Sequence, residues 1–119
     1  MTRASTAGTA GAAQRIAAEV TGWEGVTAQA GSFGALAFVV GRREIGHLHG
    51  DHAAHFAFPR AVRAALLAEG RVVPHPVLPR SPGPAARGSA GEEDVRDVIA
   101  MLRMNYDRIV ARHGTGGSA

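Results

Sequence analysis

The sequence predicts an α+β domain: an antiparallel sheet of about four to five strands, with an N-terminal helix, a middle helix and a long C-terminal helix packed on one face. Three observations predict it. Apolar residues recur at helical spacing near both ends of the chain and after Pro59. The segment between the first two helices carries short apolar runs punctuated by glycine. A chain of 119 residues has room for one core, and no disulfide can assist it because cysteine is absent.

Residues 1–9 are small and polar without an apolar stripe, as expected of a disordered tail. From 10 to 21, Ala13, Ile16, Ala17 and Val20 mark a helix that Gly22 ends. Val26, Ala28 and Ala30 alternate with Thr27 and Gln29 as in a half-buried strand. Phe33 to Val40 is an unbroken apolar run that fits a central strand. Gly41-Arg42 breaks it, and an extended pattern resumes from Arg43 to His49, predicting a hairpin. Gly50-Asp51 supplies the next turn. His52 to Phe58 then places Phe56 and Phe58 on one face, with His55 and Ala57 on the other.

Pro59 suits the first position of a helix whose stripe is Val62, Ala65 and Leu66 and whose stop is Gly70. Residues 71–79 read as extended, and 80–88 as a loop. Ser89 and Glu92 have capping-box spacing, and Val95, Val98, Ile99, Leu102, Tyr106, Ile109 and Val110 hold one helical stripe as far as Gly114. The expected organisation is one domain over 10–113, with a second disordered tail over 114–119.

Composition narrows the function. All thirteen basic residues are arginine, scattered along the chain, which argues against a nucleic-acid surface. The pI of about 11.0 follows from arginine unbuffered by lysine or cysteine. No apolar run reaches membrane-spanning length and no secretory leader is evident, so a cytoplasmic protein without membrane contact is expected.

Five of the six histidines fall between 47 and 75. In an extended strand, His47 and His49 stand on one face with Ile45, and Glu44 points the other way. Two imidazoles so placed can share a metal, or one can act as base while the other orients a ligand. Gly46 and Gly50 flank the pair, as glycine does at bulges and close approaches. His75 is held between Pro74 and Pro76, which stiffens its backbone. Arg103 and Tyr106, at i and i+3, are candidates to hold an anionic or enolic ligand, and Trp23 is expected to pack the first helix onto the sheet. The string His47-x-His49-x-Asp51-His52 also matches a dizinc hydrolase pattern. That fold needs about 200 residues and later ligands, which the remaining chain does not provide.

Several strings, taken together, resemble one family: Arg43-Glu44-Ile45-Gly46-His47-Leu48-His49-Gly50, Phe56-Ala57-Phe58-Pro59-Arg60, Gly70-Arg71, Pro74-His75, Val77-Leu78-Pro79 and Leu102-Arg103-x-x-Tyr106. They look like the luciferase-domain family, small bacterial proteins of unknown function related to the fungal luciferase. The resemblance runs from about Trp23 to Val110. It implies a single α+β domain and, for the fungal relative, oxygenation of a hydroxylated pyrone by O2. It carries Glu44, His47, His49 and His75 over as candidate catalytic residues, and Arg103 and Tyr106 as candidate substrate-binding residues.

Two places depart from the family pattern. His55 stands where an acidic residue is usual, and Ser81-Pro82-Gly83-Pro84 replaces a Ser-Gly-Trp. Light emission is therefore not expected. The reading taken forward is a small-molecule-binding protein with a pocket between sheet and last helix, acting without a cofactor on an acidic enol or phenol. Alternatives are a non-catalytic interaction module, or a divalent metal held by His47, His49 and His75. Oligomeric state is left open.

Overall fold

The computed structural model describes residues 11–116. Its elements in order are α1 (Ala12–Val20), β1 (Val26–Ala30), a 3-10 turn (Ser32–Gly34), β2 (Leu36–Val40), β3 (Arg43–His49), β4 (Ala53–Ala57), α2 (Arg60–Ala68), β5 (Val73–Pro74), β6 (Pro84–Gly88) and α3 (Glu92–His113). The strands form one sheet of six in the order β1-β2-β3-β4-β6-β5, with every neighbouring pair antiparallel. The α+β architecture and its three helices are as the sequence predicts, with one strand more than the upper expectation. The tail over 1–9 and the last residues, 117–119, lie outside the described residues. Gly114–Gly116 forms a turn against Gly41.

One face of the sheet carries the core. Gly46, Leu48, Ala54 and Phe56 turn towards α3, where Val98, Met101 and Leu102 are fully buried, and Ile16 and Val20 of α1 join the same cluster. Leu66 of α2 closes it at the other end. Gly46 is obligatory there: a Cβ would lie 2.5 Å from Leu102 Cδ2 and 3.2 Å from the His55 carbonyl oxygen. No helix among the described residues is long and apolar enough to cross a membrane.

Three local expectations are corrected. Phe33 does not begin a strand. It sits in the 3-10 turn at φ 56°, next to Gly34 at φ 77°, so β2 starts only at Leu36. Residues 84–88 are not loop but β6, inserted between β4 and β5. Their buried residues are Ala85 and Ala86, too small to give an apolar signal, and Pro84 takes the first strand position. Ser89 does not cap α3. Gly91 precedes the helix, and the buried Ser89 hydroxyl donates instead to the Asp51 carbonyl at 3.0 Å. Trp23 packs on α3 through Tyr106, with ring centroids 5.3 Å apart.

Candidate functional site

Among the described residues no helix covers the opposite face of the sheet, and the histidines gather there. The β3–β4 hairpin is centred on Asp51, which sets His47 directly across from His55 and His49 across from Ala53. Leu48 and Phe56 turn to the core, so their neighbours His47, His49 and His55 share the outer face. Ring centroids are 4.9 Å apart for His47 and His49, 5.2 Å for His47 and His55, and 4.5 Å for His49 and His55. His75 follows β5 and brings its ring to 4.5 Å from that of His55.

Glu44 joins the group through a bulge. In the β2–β3 ladder Phe38 pairs with Gly46 and Val39 with Glu44, leaving Ile45 as the extra residue. Side-chain parity therefore flips at that point. Ile45, expected beside the histidines, is buried in the core, and Glu44, expected on the far side, lies 2.6 Å from His47 Nδ1. A carboxylate only accepts, so the neutral form of His47 carries its hydrogen on Nδ1, with its lone pair on Nε2. Buried Asn105 secures the bulge from below. Its amide donates to the Ile45 carbonyl at 3.0 Å and to the Ala57 carbonyl at 3.1 Å.

His75 has the reverse tautomer. Its Nδ1 accepts the backbone N–H groups of Val77 (3.1 Å) and Leu78 (3.2 Å), so the hydrogen sits on Nε2. Burial, and then the neighbouring His47 and His49, lower its pKa. Burial also dominates at His55, and together with His49, His75 and His47 it pushes that ring down to about 4. Both rings are thus neutral near pH 7, His75 as an Nε2–H donor and His55 with a ring nitrogen able to accept or ligate.

The cluster floors a cavity of about 430 Å³, within the size range of small-molecule sites. Ala35 and Ala37 leave room on one side, while Phe33 and Val77 stand at its mouth. Phe33 is 98 % exposed in its left-handed conformation.

Of the sequence candidates, Glu44, His47, His49 and His75 come together. Arg103 and Tyr106 do not. The Arg103 guanidinium lies 5.0 Å from the Trp23 and Tyr106 ring centres and pairs with Asp107, while the Tyr106 hydroxyl donates to the Glu24 carbonyl at 2.6 Å. The expected pocket between sheet and last helix is filled by the core, because the apolar α3 stripe that carries Tyr106 packs there. Asp51 and His52 also point elsewhere: Asp51 accepts the Ala13 N–H of α1 at 2.9 Å, and His52 is exposed in the turn.

Sequence reasoning undervalued His55, although the hairpin register, symmetric about Asp51, could have paired it with His47. It also passed over Asn105, whose signal is a lone amide inside the apolar stripe of α3.

A luciferase-domain family model matches residues 42–105, more than half of the chain. The chain belongs to the luciferase-domain family. The match spans the hairpin, β6 and most of α3, so it contains Glu44 and the four clustered histidines. Neither a curated protein nor a solved structure matches the domain.

Proposed function

We propose that this luciferase domain binds a small acidic enol or phenol in the histidine-floored cavity and holds it as its anion. The ligand hydroxyl would give its proton to an imidazole lone pair, with His47 Nε2 best prepared because Glu44 fixes that ring. The electron pair stays on the ligand oxygen, where the Nε2–H of His75 is a suitable donor. An anion of this kind is electron-rich enough to react with O2, the oxidant used by the fungal relative. The observation that carries the reading is the Glu44–His47 pair inside a cavity whose mouth is apolar and whose floor is imidazole.

Titration of the protein with a panel of phenols and hydroxypyrones, in the presence and absence of added zinc, tests it. His47→Ala and His49→Ala are each expected to weaken binding of the hits by about tenfold or more, the scale of one lost charge-assisted hydrogen bond. Unchanged binding of every hit in both variants contradicts the reading. The exposed Phe33 and Val77 side chains favour a second one, an interaction module whose partner covers the cavity mouth. Oxygen consumption with a bound phenol separates the two, since a module consumes none.

A further inference from the structure

We infer that His47, His49 and His55 form a binding site for one divalent transition-metal cation, with Glu44 orienting the first of them. The inference rests on reading the cavity as a ligand site and names what its floor would hold.

Three observations support it. First, one ring nitrogen from each of the three residues lies within 4.8 Å of the others. Zinc–imidazole bonds of about 2.0–2.1 Å put the nitrogens of a tetrahedral site about 3.4 Å apart, so modest ring tilts close the set. All three residues stand on two directly paired strands, and the ladder rather than a loop fixes their spacing. Second, the Glu44 carboxylate takes the His47 Nδ1–H, the outer-shell contact that sets tautomer and ring plane in metal-ligating histidines. Third, His55 Nδ1 is buried without a hydrogen-bond partner, the one such side-chain nitrogen or oxygen among the described residues. Ligation through Nδ1 would give that nitrogen the partner it lacks.

The donor set selects the cation. Three neutral imidazoles, with no thiolate or carboxylate among the ligands, suit zinc, iron, nickel or copper rather than magnesium or calcium. His75 stays outside the set, because its Nδ1 lone pair already accepts two backbone N–H groups and its other nitrogen carries hydrogen. The ligand triad is therefore 47, 49 and 55, not 47, 49 and 75. With the cation in place, the ligand oxygen would bind it as the anion and the hydroxyl proton would pass to water. The acidifying role of the His47 lone pair is then taken by the metal.

Titration of the full chain, stripped with chelator, with Co2+ and Zn2+ alone tests the proposal by Co2+ absorption and calorimetry. One ion per chain is expected, with tetrahedral-type Co2+ bands. His49→Gln and His55→Gln should each lower affinity by roughly 100-fold, and Glu44→Gln by about 10–100-fold, while His75→Gln changes it little. Melting curves without metal identify any variant that fails to fold; half-buried His49 then carries the test if His55→Gln does not fold. Substoichiometric uptake, or equal losses in His49→Gln and His75→Gln, overturns the site. Binding of the phenol panel in chelator is read separately, so failure of the cation site and failure of the ligand reading give different results.

Discussion

At the scale of single residues, one inserted position decides the chemistry. Because Ile45 bulges out of register, Glu44 lands on the histidine face and locks the His47 ring. Period-two reasoning placed both side chains on the wrong faces, since alternation holds only while the ladder is regular. Gly46 was the legible hint, and the bulge sits beside it. Phe33 is the other informative residue. A phenylalanine at φ 56° is strained, and at 98 % exposure it recovers nothing by packing. Its place at the cavity mouth suits it to meet the proposed ligand. Phe33→Ala should leave unfolding free energy within about 0.5 kcal/mol of wild type in denaturant titrations. It should also weaken phenol binding by about tenfold, the scale of one aromatic contact. Loss of stability without loss of binding would assign Phe33 to the scaffold instead.

At the scale of elements, α3 is both the main core helix and the support of the site. Asn105 ties it to the bulge and to the end of β4, so Asn105→Leu leaves the Ile45 and Ala57 carbonyls without that donor. A loss of about 2–4 kcal/mol is expected by denaturant titration. The start of α3 is anchored differently. Arg87 of β6 hydrogen-bonds Asp94 at 2.7 Å and forms an ion pair with Asp97 at 2.8 Å. The Arg87 hydrogen bond, opposed in part by desolvation, holds the Asp94 carboxyl below the usual carboxylate range. A depressed carboxylate pKa stabilises the fold above the unfolded value, near 3.9, and that contribution is lost as pH falls through the lower folded value. Asp94→Asn should therefore melt below wild type at pH 7, with the gap closing as pH falls below the unfolded carboxylate value. A gap independent of pH would mean that the ion pair does not set the difference. These anchors also show why β6 was not legible. Its contribution is two small alanines and one arginine, none of which has a periodic apolar signature, and its partners lie far away in sequence.

At the scale of the whole molecule, the sheet divides the labour between its faces. Apolar periodicity made the helices and most strands readable because they pack on one core, which repeats the pattern the chain displays. The cavity lies on the other face, where small residues, imidazoles and a proline-flanked segment are joined by register rather than by periodicity. Clustering in sequence therefore located His47, His49 and His75, and the family resemblance added Glu44, but the pocket was misassigned to the helix side, together with Arg103 and Tyr106. Two imidazoles held in opposite tautomers within one group carry the proposed chemistry. Long-range proton–nitrogen NMR of the metal-free protein at pH 8 reads this directly. The expected spectrum shows His47 protonated on Nδ1 and His75 on Nε2, with the His47 pattern lost in Glu44→Gln. A His47 ring protonated on Nε2, or averaged as in free solution, would contradict it.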